Sequence, residues 1–148
     1  ARRVTNGVDS SRVAMVLAVL QRKAKISLAR KDVYVSTVGG ARIADPAADL
    51  ALAIAMASAT ADENYFCRVV ALGEVGLAGD LRRVPGLERR IGEAARLGFE
   101  LAIVPAGSRD PNSKMPKMHG LRLVEVATVA EALAALGLNR NQKPASPH

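Results

Sequence analysis

Asp45-Pro46-Ala47-Ala48-Asp49-Leu50-Ala51 has the chemistry of a helix start. Asp45 offers a side-chain oxygen for the N-cap, and Pro46 falls in the first turn, where a missing N–H costs nothing. Asp49 is still inside that turn and suits the positive end of the helix dipole. The helix is expected to run to about Ala59, and its alanines permit close approach of neighbouring elements. Upstream, Asp9 or Ser10 can cap a first helix reaching about Lys25. Val13, Val16, Leu17, Leu20 and Ala24 recur there at helical spacing, and Met15 and Val19 widen the stripe. A helix apolar over so much of its girth is expected to pack on two sides, its own sheet and a neighbouring subunit. Val33 to Val38 reads as a strand closed by Gly39-Gly40.

Downstream, Arg68 to Leu72 reads as a buried strand. Gly73, Gly76 and Gly79 then mark a turn-rich or bulged hairpin. They do not form a phosphate loop, because the lysine and the immediately following helix are both missing. Leu81 to Val84 returns as a short strand. Pro85 opens a third helix with Leu87, Ile91, Ala94 and Leu97 on one face, and Gly98 ends it. Phe99 to Val104 and Leu121 to Val126 are further strands, separated by a long polar loop from Ala106 to Gly120. Thr128 and Glu131 form a capping box for a last helix ending at Gly137. Alternating strands and helices imply an α/β domain over residues 1–138, with 139–148 expected to be a disordered tail.

Composition narrows the function classes. The chain has 148 residues, enough for one domain with a sizeable core. No apolar run approaches the ~20 residues of a membrane helix, and no secretory leader pattern is present. Cys67 is the lone cysteine, so a disulfide framework and a four-cysteine zinc site are excluded, and a reducing cytoplasm is expected. His119 and His148 are the only histidines, so no metal site is expected. Aromatic content of 3% leaves few rings for base stacking. The net charge of +7 is uneven: residues 1–31 carry eight basic and one acidic side chain, whereas 32–108 carry seven basic and ten acidic. Basic flanks around a mildly acidic middle suggest a polyanion-facing surface built from the chain ends. The same residues also suit a helix C-terminus and solvated tails.

The order Pro46-Ala47-Ala48-Asp49, Gly73-Glu74-Val75-Gly76-Leu77-Ala78-Gly79 and Pro85 to Ile91 resembles the proteolytic domain of the Lon family. There a serine follows the proline of the first motif, and a lysine sits on the later helix. Aligned without gaps from Leu81 to Pro105, the lysine position falls on Arg90, and the serine position after Pro46 falls on Ala47. Ala47 has no nucleophile, and a guanidinium stays protonated and cannot be a base. Ser36 or Thr37 with a distant lysine is the remaining arrangement for a dyad.

The chain is more similar still to the C-terminal, Lon-protease-like domain of the RadA (Sms) family of bacterial DNA-repair proteins. The resemblance is carried by Asp32 to Val35 through Gly39-Gly40, Pro46 to Ala51, Gly73 to Gly79, Glu93 to Phe99 and Ala102 to Pro105. It covers roughly residues 5 to 138. Asp49 favours it, since Lon-type proteases usually carry glycine there and RadA carries aspartate. The resemblance implies a mixed sheet packed with helices, as in the second domain of ribosomal protein S5. It further implies a hexameric ring, contact with single-stranded or branched DNA, and RecA-filament partnership through a longer protein. That protein would be a DNA-dependent ATPase working in branch migration. ATP, Mg and Zn would belong to domains upstream, because this chain has no Gly-x-x-x-x-Gly-Lys-Ser/Thr loop and reads as an excised domain. No catalysis is expected of the domain itself. Arg82, Arg83, Arg89 and Arg90, near the former dyad, are the first candidates for phosphate contact. Arg22, Lys23, Lys25, Lys114 and Lys117 are the candidates by charge alone. A pure oligomerisation module without DNA contact is the alternative, and a residual serine peptidase is the third reading.

Overall fold

A computed structural model describes residues 1–61, 68–108 and 120–139. The first strand, β1 (Arg3–Asn6), pairs in parallel with β2 (Val33–Ser36), with Arg3 opposite Val33 and Asn6 opposite Ser36. Between them runs helix α1 (Ser10–Lys23), whose N-cap Asp9 accepts a hydrogen bond from the Ser11 amide. A parallel pair needs such a crossover. The sequence gives no sign of β1, since three of its four residues are polar. β2 is also shorter than expected: Val38–Gly40 forms a 3-10 turn. Gly7 joins β1 to α1 at φ +83°, and a Cβ there would overlap Thr37 and the Ala41 carbonyl, so only glycine fits.

Pro46–Ala48 is a single 3-10 turn capped by Asp45, and it leads into α2 (Asp49–Ala61). The expected hairpin is present as β4 (Glu74–Val75) and β5 (Leu81–Arg82), following β3 (Val69–Ala71). Helix α3 (Leu87–Arg96) starts after Gly86, two residues beyond the expected Pro85. Then come β6 (Leu101–Pro105), β7 (Arg122–Val126) and α4 (Val129–Ala135), the last capped by the Thr128 hydroxyl accepting from the Glu131 amide.

The α/β class holds, but the described strands form three small sheets rather than one mixed sheet. They are β1-β2, the parallel β3-β6-β7, and the antiparallel β4-β5. β6 is the central strand of its sheet and is buried at every residue, which explains its unbroken apolar sequence. Its alternate side chains serve two layers. Leu101 and Ile103 pack with Leu50 and Ala132 of α2 and α4, while Ala102 and Val104 pack with Ile91 of α3. Fully burying one such aliphatic side chain stabilises by roughly 1.5–3 kcal/mol. α1 buries Val13, Val16, Val19 and Leu20 against Ala53, Met56 and Ala57 of α2 and Val129 and Leu133 of α4, with Val33 and Val35 of β2 packed against the same cluster. Among the described residues no helix is long and apolar enough to cross a membrane.

Candidate functional site

The three motifs read from the sequence converge at the start of α2. The Asp45 carboxylate accepts from the Ala47 amide at 2.9 Å and from Arg90 Nη2 at 2.7 Å. Arg90 Nε also donates to the Pro85 carbonyl at 3.1 Å. Ala47 is buried, and its carbonyl accepts from the Gly73 amide at 2.9 Å, while the Gly73 carbonyl accepts from the Leu50 amide at 3.1 Å. The two positions singled out by the Lon resemblance are thus bridged by one carboxylate, although 43 residues separate them in the chain. Hydrogen bonding to the Ala47 amide, and then to Arg90, holds the Asp45 pKa below its ordinary value.

Asp49 has a larger role than its helix position suggests. It is 3% exposed and forms an ion pair with Arg12 of α1, and it accepts the Val75 amide of β4 at 3.1 Å. One carboxylate therefore ties α1, α2 and the β4–β5 hairpin together. Its bond with Arg12 is the main reason that the guanidinium pKa is raised. The signal for this partner was present in the sequence: Arg12 is the lone charge between Ser10 and Gln21.

The candidate cations are placed unequally. Arg90 is engaged as above. Arg82 lies 3.8 Å from both Glu74 and Asp80, and the Arg83 guanidinium covers Gly107, where a Cβ would collide with it. Arg89 is exposed on α3. Arg22, Lys23 and Lys25 are exposed at the end of α1, with Lys25 in the left-handed region at φ 58° and the Lys23 stem against Gly79. Lys114 and Lys117, like Arg109, His119 and Cys67, lie outside the described residues. So does the expected tail beyond Asn139. Ser36 and Thr37 donate their hydroxyls to the Thr37 and Ala41 carbonyls. Among the described residues no group of three or more His, Cys, Asp or Glu side chains is arranged to hold a metal ion.

A family model described as subunit ChlI of Mg-chelatase matches residues 8–108. DNA repair protein RadA of Mycolicibacterium smegmatis is 56% identical over 106 residues, 72% of this chain and 23% of that protein. DNA repair protein RadA of Mycobacterium tuberculosis is 45% identical over 146 residues, 99% of this chain and 30% of that protein. The Bacillus subtilis protein of the same name is 42% identical over 132 residues, 89% of this chain and 28% of that protein. The chain therefore spans less than a third of the length of these curated relatives. It belongs to the family that the ChlI subunit model describes, and its homologues are DNA repair proteins named RadA.

Proposed function

We infer that the chain is a non-proteolytic scaffold and DNA-contact domain of a RadA-type DNA-dependent ATPase and helicase acting in recombinational repair and branch migration. The observation that supports its non-proteolytic part is the Asp45 bridge. The position expected for a general base holds a guanidinium engaged by a carboxylate, beside an alanine where a nucleophile would stand. The motif then serves to lock α2 to α3 and to the hairpin. The uneven charge supports contact with a polyanion, made through phosphates and without sequence readout. ATP, Mg and Zn belong to other domains of the longer protein, as does partnership with a RecA filament. Fluorescence anisotropy of a labelled single strand at several salt concentrations tests the reading. Affinity should fall steeply with added salt, and no binding at low salt would overturn DNA contact by this domain.

A second reading, oligomerisation alone, is favoured by Val38 and Leu77, which are 96% and 78% exposed. Contact with another chain, such as a neighbour in a hexameric ring, would cover these two side chains. Light scattering that finds assembly together with anisotropy that finds no DNA binding would select this reading.

A further inference from the structure

Tyr34 is 63% exposed on β2, directly opposite Val4 of β1, which is 46% exposed. An aromatic ring displayed to this extent is conspicuous in a chain with 3% aromatic residues. It lines a groove of about 470 Å³ between β2 and α2, floored by Leu52, Ala55 and Met56. Lys31 and Asp32 line the same groove, and Ser36 and Thr60 add hydroxyls.

The turn before β2 is held in place. Lys31 donates its amide to the Leu28 carbonyl at 3.1 Å, closing the turn, and Leu28 is buried. The Arg3 guanidinium donates to the Leu28 carbonyl at 2.8 Å and also to the Lys31 carbonyl. Arg3 thereby covers two carbonyl oxygens of the turn that carries the exposed Arg30 and Lys31, of which Lys31 lines the groove. No acidic residue occurs between Ser10 and Lys31. The adjacent carboxylate, Asp32, accepts the Arg2 amide at 2.7 Å.

We propose that Tyr34 and the Leu28–Lys31 turn form a single-strand nucleic-acid subsite, with Tyr34 stacking an unpaired base and Arg30 and Lys31 contacting the flanking phosphates. A ring close in sequence to exposed cations on a braced turn matches the two chemistries of such a strand, a flat apolar face and a regular anion. Stacking on Tyr34 needs a base released from pairing, so single strands are favoured over duplex, without preference among sequences. The proposal rests on the DNA-contact reading above and adds the residues and the strand type.

The test compares the 148-residue chain with Tyr34→Ala, Tyr34→Phe and Arg30→Ala/Lys31→Ala variants. Anisotropy is measured on an ordinary single strand, on an abasic strand of equal length, and on duplex. Tyr34→Ala should weaken ordinary single-strand binding by roughly tenfold and leave abasic-strand binding unchanged, while Tyr34→Phe should bind like the parent. The double variant should lower the salt slope by about 1.4 on either single strand. Equal weakening on ordinary and abasic strands would mean that Tyr34 is structural, and would overturn the stacking proposal. DNA binding indifferent to all the variants would overturn the subsite and leave the domain-level reading standing. Absence of single-strand binding by the parent chain, including the case where it binds only anionic phosphatidylglycerol vesicles, would overturn both.

Discussion

Asp45 and Arg90 are joined at 2.7 Å across 45 residues of chain, and the same carboxylate caps the helix that begins with Ala47. Its two oxygens are divided between these tasks, so removing the side chain loses both. Loss of an aspartate N-cap costs about 0.5–2 kcal/mol, and the exposed ion pair adds little in water. Asp45→Ala should therefore lower the urea midpoint by an amount equivalent to about 1 kcal/mol. Asp45→Asn should recover most of that by keeping the cap.

The same carboxylate carries a pH dependence. Its pKa in the folded protein lies below the ordinary 3.8, so folding favours the ionised form. The contribution is present in full at pH above that ordinary value and is lost as pH falls through the depressed folded value. Asp45→Asn should flatten this part of the acid limb in a plot of stability against pH. An unchanged limb would mean that other carboxylates account for it.

Asp49 sits in a different regime, because it is buried while Arg12 is 35% exposed at its side chain. Breaking a buried pair costs about 3–5 kcal/mol when it leaves an uncompensated charge. Arg12→Ala leaves that charge on buried Asp49, eased by the Val75 amide, and should cost about 3 kcal/mol. Asp49→Ala leaves its charge on a half-wetted arginine and should cost less for the charge, but it also orphans the Val75 amide. Denaturation of both single variants and the double variant checks this. Strict additivity would show that the two side chains do not act as a pair.

Restoring a hydroxyl should not restore peptidase chemistry. Ala47→Ser places a nucleophile beside a guanidinium that cannot accept its proton. Casein should remain intact with the purified variant, and cleavage by Ala47→Ser alone would refute the assignment of Arg90 as the failed base position.

The exposed cations should separate from the engaged ones. Arg89→Ala is expected to reduce the salt slope of single-strand binding by about 0.7, and the triple change at Arg22, Lys23 and Lys25 by about 2 if all three meet phosphates. Arg90→Ala should instead lower thermal stability, with a smaller change in slope, because its donors are directed at Asp45 and Pro85. A slope change at Arg90 as large as that at Arg89 would show that DNA competes successfully with Asp45.

Features that depend on near neighbours are legible in the chain alone. The caps at Asp9, Asp45 and Thr128 reach only two or three residues, so spacing alone reveals them. The periodicity of α1 and the unbroken apolar run of β6 likewise report burial directly. The motif order also led to Ala47 and Arg90 as a pair. Features that depend on which surfaces meet emerge with packing. β1 is polar and exists because Val33 to Ser36 lies alongside it, which no local pattern encodes. Asp49 reads as a dipole partner until packing of α1 on α2 brings Arg12 to it from 37 residues away. The candidate arginines are equal as charges in sequence, and they differ because folding gives some of them carboxylate or carbonyl partners and leaves others in water. Short-range hydrogen bonds and hydrophobic periods are local properties of the chain, whereas the pairing of charges is a property of its packing.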